Sequence, residues 1–144
     1  MFSKACEYGI RAAIYIAQQS LVDRKVSLKD VAKAIESPTA YTSKILQKLS
    51  KNSIIKSDKG PTGGFSMDKT ELEKVKLCSI VYAIDGDAVY TGCGLGLKKC
   101  NENKPCPVHN QFKLIREELK KMLETTTVKT LATDFEKGLT FLKR

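Results

Sequence analysis

No apolar run in this sequence approaches the roughly 18–20 residues needed to span a bilayer, so no membrane helix is expected. The first residues, Met1 to Glu7, lack the basic-then-apolar layout of a secretory leader, and a cytoplasmic location is the expectation. There is one histidine, no GxxxxGK[ST] phosphate loop and no Ser/His/Asp set, a shortage that argues against an enzyme. Five cysteines are an odd number for a disulfide framework, and no two of them form the close C-x2-4-C pair usual in structural zinc sites. No internal repeat is present.

What is present suits one compact domain, or a small domain with an extension. The chain has 144 residues, 42% of them hydrophobic, enough for a core. The net charge of +9 is uneven: residues 1–69 carry 12 Lys/Arg against 6 Asp/Glu, and residues 70–144 carry 13 against 10. An excess of positive charge in the first half suggests a polyanionic partner there, although a merely well-solvated basic surface has the same composition.

Ala5, Gly9, Ala12, Ala13, Ile16 and Ala17 recur at helical spacing and predict a helix over residues 4–20, packed closely on another. Ser27 with Asp30 resembles a capping box and opens a second helix with Leu28, Val31, Ala32 and Ile35 inside. Ser37 as N-cap and Pro38 as first helical residue open a third, running to about residue 52, with Ile45, Leu46 and Leu49 inside. Two helices joined by so short a turn read as a helix-turn-helix. The outer face of the third carries Ala40, Ser43, Lys44, Gln47, Lys48 and Lys51, with Thr39, Tyr41 and Thr42 in its first turn. Lysines there can neutralise phosphate, while hydroxyls and amides can read base edges.

Next come Ile54, Ile55 and Lys56, a Gly/Pro-rich turn, then Phe65, Ser66 and Met67, which together predict a hairpin. Directly after a recognition helix, a hairpin is a wing. Lys56 and Lys59 can meet phosphates, and Gly60, Pro61, Thr62 and Gly63 form its tip, where glycines allow close backbone approach. With Ser27 and the helix residues Thr39, Tyr41, Thr42, Ser43, Lys44, Gln47 and Lys48, these make the expected contact set for double-stranded DNA. A short helix over residues 75–85 follows, with Leu77, Cys78, Val81 and Ile84 apolar, so Cys78 reads as a core thiol.

Residues 86–107 read as a long loop without regular structure. It holds the pattern Cys93-x6-Cys100-x5-Cys106-x2-His109. Thiolates suit soft metals and iron–sulfur clusters, and imidazole suits zinc or iron. On spacing alone an iron–sulfur cluster, zinc and unliganded thiols all stay open. A long helix over residues 108–125 places Val108, Phe112, Ile115, Leu119 and Met122 at 4-3-4-3 spacing, a heptad seam suited to a second copy of the chain. The same seam could instead cover the chain's own core. A short helix over residues 130–142 closes the chain. The expected fold is mainly α with a small β-hairpin wing. Its parts are a winged helix-turn-helix over residues 1–85, a cysteine-rich loop over 86–107, and a dimerisation helix with C-terminal segment over 108–144.

Taken together, Glu7, Tyr8, Gly9, Ile10, Arg11 and Ala12, the recognition helix of residues 37–49, the wing from Lys59 to Phe65, the run Ala83, Ile84, Asp85 and Gly86, and the three-cysteine loop resemble the bacterial Rrf-type regulators, the family that includes IscR, NsrR and CymR. The resemblance covers essentially the whole chain. It implies a homodimeric winged-helix repressor or activator with the recognition helix in the major groove and the wing near the minor groove. IscR-like members hold a [2Fe–2S] cluster with three loop cysteines and a histidine, which map onto Cys93, Cys100, Cys106 and His109. NsrR-like members hold a [4Fe–4S] cluster with three loop cysteines and a carboxylate from the first helix of the other subunit, where this chain has Glu7. The resemblance favours [2Fe–2S] over [4Fe–4S]. The chain departs from both patterns in having six residues, not five, between Cys93 and Cys100. Some members hold no cluster, which leaves thiol oxidation or a protein partner as the alternative signal.

Overall fold

A computed structural model describes residues 1–143; Arg144, the last residue of the expected C-terminal segment, lies outside the described residues. The elements are α1 (Lys4–Leu21), α2 (Leu28–Ile35), α3 (Thr39–Lys51), β1 (Lys56–Asp58), β2 (Gly64–Ser66), α4 (Leu77–Asp85), α5 (Ala88–Thr91), α6 (His109–Thr125) and α7 (Val128–Glu136). The architecture is mainly helical with one antiparallel hairpin, as expected.

The helix α1 is the central element, and α2, α3, α4 and α7 all pack on it. Its small residues make this possible: Cys6, Gly9, Ala12, Ala13 and Ala17 are buried together with Ile16. The Ser3 hydroxyl accepts from the Cys6 amide at 3.0 Å and caps the helix. The Ser3 amide and hydroxyl in turn donate to the two carboxylate oxygens of Asp85, tying the start of α1 to the end of α4. At the other end, the buried Ser20 hydroxyl donates to the Ile16 carbonyl at 2.8 Å and accepts from the Met67 amide at 2.9 Å. A buried hydroxyl is thereby satisfied in both roles, and the chain leaving the wing is fixed to α1.

The Ser27–Asp30 capping box is present in both directions, at 2.9 and 3.1 Å, and its hydrogen bonds hold the Asp30 carboxyl below its usual range. The expected cap of α3 is not. Pro38 itself is the N-cap, with extended backbone, so the helix begins at Thr39, and the Ser37 hydroxyl is buried without a partner among the described residues. The hairpin strands pair Lys56 with Ser66, Ser57 with Phe65 and Asp58 with Gly64. Ile54 and Ile55, expected within the hairpin, instead lie just before it, in the core. Val26 and Phe65 exchange amide–carbonyl bonds of 2.7 and 3.1 Å, which seat the wing against the segment leading into α2.

Three later expectations need revision. The 86–107 segment is not without regular structure, because α5 interrupts it. The terminal helix is shorter and earlier than residues 130–142. It also does not stand apart with α6: Val128 and Ala132 are fully buried in the same core as α1, and Val128 donates to the Val75 carbonyl at 2.9 Å while Leu77 donates to the Thr126 carbonyl at 3.0 Å. The last segment therefore completes the fold of residues 1–85. No helix among the described residues is long and apolar enough to cross a membrane.

Candidate nucleic-acid interface and cysteine loop

Along α3, Thr39, Ala40, Tyr41, Lys44, Gln47, Lys48 and Lys51 are exposed, Ser43 is half-buried, and Ile45, Leu46 and Leu49 are fully covered. Thr42 departs from the expectation. It is 0% exposed, and its hydroxyl donates to the Pro38 carbonyl at 3.0 Å. Thr42 precedes Ile45, Leu46 and Leu49 by three, four and seven residues, so it falls on their inner stripe, and its buried hydroxyl stabilises the first turn and is not presented to DNA. Ser27 is exposed at the start of α2, its oxygen engaged by the Asp30 amide, its hydroxyl proton free to donate.

In the wing, Lys59, Gly60, Pro61 and Thr62 are exposed at the tip, and Lys56 lies on the exposed β1. Lys56 is paired with Asp68 at 2.9 Å, which holds the ammonium above its usual pKa. Gly63 is required by the hairpin itself: a Cβ there would sit 2.2 Å from the Asp58 carbonyl oxygen. Its lack of a side chain is thus a requirement of the turn.

A cluster that sequence reasoning missed lies behind Tyr41. Its ring meets that of Tyr8 edge-on, centroids 5.7 Å apart at 82°, and the Arg11 guanidinium lies 4.6 Å from the Tyr8 centroid. Thus α1 braces an exposed residue of the recognition helix. The 4-3 spacing of Lys4, Tyr8 and Arg11 marks one helical face, but nothing in the sequence says which element it meets.

The loop brings its expected ligands together in two pairs. The Cys93 and Cys106 sulfurs are 3.9 Å apart, and the Cys100 sulfur is 3.3 Å from Nδ1 of His109. His109 is buried at the first turn of α6, and its amide donates to the Cys106 carbonyl at 3.0 Å. All three cysteines are half-buried. Among the described residues no three Cys, His, Asp or Glu side chains converge tightly enough to hold one ion. The Cys93 thiol is held below its usual pKa, chiefly by backbone hydrogen bonds from Leu95 and Leu97. Arg116, absent from the expected site, donates to the Gly92 carbonyl at 2.5 Å and to the Cys100 sulfur at 3.4 Å, clasping the loop to α6. Gly94 packs under Phe112 so closely that a Cβ would lie 2.4 Å from the ring. Glu7 is exposed and paired with Lys4 at 3.0 Å.

The α6 seam splits. Phe112 is half-buried over the loop, and Leu119 packs on the core beside the fully buried Leu123. Ile115 and Met122, 53% and 45% exposed, are left largely uncovered, as is Leu114. The heptad spacing could not separate covered from uncovered positions, because which of them meet α4 and α5 depends on the packing of distant elements.

The chain matches the family Rrf2, described as an iron-dependent transcriptional regulator, over residues 2–134. It is 34% identical over 142 residues to an assigned HTH-type transcriptional regulator of Aquifex aeolicus, covering 96% of both chains. It is 24% identical over 124 residues to the HTH-type transcriptional regulator IscR of Yersinia pseudotuberculosis, covering 86% of this chain and 74% of that one. Similar folds include CymR, the global cysteine regulator of B. subtilis, with a TM-score of 0.76, 21% identity and coverage of 92% and 96%. Another is IscR of T. potens, with a TM-score of 0.73, 18% identity and coverage of 98% and 92%.

Proposed function

Because the chain belongs to the Rrf2 family of transcriptional regulators, and is not an enzyme, we propose that it regulates transcription in the cytoplasm as a homodimer whose affinity for DNA responds to an iron–sulfur cluster on Cys93, Cys100, Cys106 and His109. The observation that carries this reading is the two-by-two arrangement of donors. A single tetrahedral ion needs its ligands gathered in one place, whereas a two-iron cluster takes two protein donors on each iron. A 3.9 Å sulfur–sulfur distance suits two corners of a tetrahedron with metal–sulfur bonds of about 2.3 Å. Soft thiolates with one imidazole fit iron, and their grouping in two pairs favours [2Fe–2S] over [4Fe–4S].

When bound, such a cluster supplies a centre that changes with oxidants, nitric oxide or iron supply. The chain's own residues do the rest. Arg116 and the Gly94–Phe112 contact hold the loop on α6, and Ser3 with Asp85 joins the end of α4, just before the loop, to α1. From α1 the Tyr8–Tyr41 contact reaches the recognition helix. On DNA, Tyr41, Ser43, Gln47 and Thr39 stand nearest the bases, while Lys44, Lys48, Lys56 and Lys59 meet phosphates. Glu7, exposed and paired with Lys4, serves as a ligand only if it comes from a second subunit.

The test is anaerobic reconstitution of the parent and of Cys93→Ala, His109→Ala and Glu7→Ala, read by visible absorption with iron and sulfide analysis. Loss of the visible bands in Cys93→Ala and their shift or loss in His109→Ala, with Glu7→Ala unchanged, is the expected result. A colourless parent overturns the cluster, and loss in Glu7→Ala alone replaces His109 by Glu7.

A further inference from the structure

The three loop cysteines have different neighbours. Cys93 and Cys106 face each other at 3.9 Å. Cys100 is held elsewhere, by an Arg116 N–H at 3.4 Å and by His109 Nδ1 at 3.3 Å, and the same guanidinium is anchored on the Gly92 carbonyl. A disulfide requires sulfurs about 2.05 Å apart. Side-chain rotation and a small loop adjustment bring Cys93 and Cys106 to that distance, whereas Cys100 must first leave both partners. All three are half-buried, so small solutes reach them, while Cys6 is fully covered.

We propose that the metal-free loop is a selective dithiol, which hydrogen peroxide converts to a Cys93–Cys106 disulfide while Cys100 stays a free thiol. This rests on the reading above only in using the same loop, and names what that loop does without its metal. One thiolate of the pair attacks a peroxide oxygen, the O–O bond breaks, hydroxide leaves, and a sulfenic acid forms. The second thiolate attacks that sulfur, the S–S bond forms, and a second hydroxide leaves. The two thiols lose two electrons and two protons, and the peroxide takes both up to become two waters. The product ties up two of the four donors, so the loop stays closed to metal until a thiol reductant opens it. Arg116 is the positioning residue that sets the selectivity.

The experiment uses full-length protein stripped with a chelator, treated with peroxide, alkylated, and cut after Lys and Glu. Lys98 and Lys99 separate Cys93 from Cys100, and Glu102 separates Cys100 from Cys106. The Cys93–Cys106 linkage is expected to exceed either Cys100 linkage by about tenfold, given the geometric demands of the bond, with Cys100 recovered alkylated. In Arg116→Ala, Cys100 linkages rise to a comparable level. A Cys100 disulfide dominating in the parent, or full alkylation of all three after peroxide, overturns the proposal. The parent's pattern alone decides, so a poorly folded variant does not blunt the test. A protein that takes up a cluster yet forms no disulfide fails this inference only. One that forms the disulfide yet takes up no cluster supports it and fails the earlier reading.

Discussion

Lys44, Lys48 and Lys59 stand outside every ion pair among the described residues, whereas Lys56 already shares Asp68. A lysine that meets phosphate releases counterions, and each such contact contributes about one unit to the slope of log affinity against log salt. The Lys44→Ala, Lys59→Ala double variant is therefore expected to lower that slope by about two for each bound protomer, about four for a dimer on two half-sites, and to weaken all sequences alike. Lys56→Ala should lower it by less, because contact there first requires release from Asp68. Anisotropy titrations at several salt concentrations check this, and an unchanged slope in the double variant would remove these residues from the interface. Thr42 makes the contrast at this scale. Its hydroxyl, four residues from the Pro38 carbonyl, is an internal hydrogen bond of the first turn.

Beyond their shared core, helix α1 and the recognition helix meet through an aromatic pair at the surface, and that contact sets a prediction at the scale of elements. An edge-to-face pair contributes about 0.5–1.5 kcal/mol beyond area burial, or roughly 2–10-fold in an equilibrium. Tyr8→Ala is expected to weaken specific DNA binding by about that factor, through a loosened Tyr41, and to leave the salt slope unchanged. Specific affinity equal to that of the parent would show that Tyr41 needs no brace. The elements themselves were legible where a periodic stripe ran for two turns or more: α1, α2, α3 and α6 sit within a residue or two of expectation. The hairpin and the capping box were legible from turn and cap chemistry. What escaped had no periodic signal or depended on distant partners. Four-residue α5 is too short for one, the terminal helix was expected but its bounds and its packing on α1 were not, and Arg116 lies 24 residues from the Gly92 carbonyl it holds. Of the loop, the ligand types and order were readable, but not the pairing of Cys93 with Cys106 and Cys100 with His109.

For the molecule as a whole, the open question is how one short recognition helix and a small wing achieve specificity, and the outer face of α6 bears on it. Ile115 and Met122, seven residues apart, are exposed with Leu114 beside them, and Leu95 and Leu97 of the loop are exposed as well. A two-fold dimer through such a face places two recognition helices on two half-sites, so that each contributes to one binding event. The inward residues of the same helix separate this role from folding. Leu123 is fully buried, so Leu123→Ala should cost about 2–5 kcal/mol of stability, whereas charged residues at 115 and 122 should leave the fold intact. We expect Ile115→Glu, Met122→Glu to run as a monomer in analytical ultracentrifugation with unchanged helical circular dichroism. Non-specific DNA binding should persist, since each protomer keeps its lysines, while tight binding to a two-half-site operator is lost. A folded dimer from that variant would place the subunit contact elsewhere. Unfolding, with Leu123→Ala tolerated, would mean that the outer face of α6 covers the chain's own core.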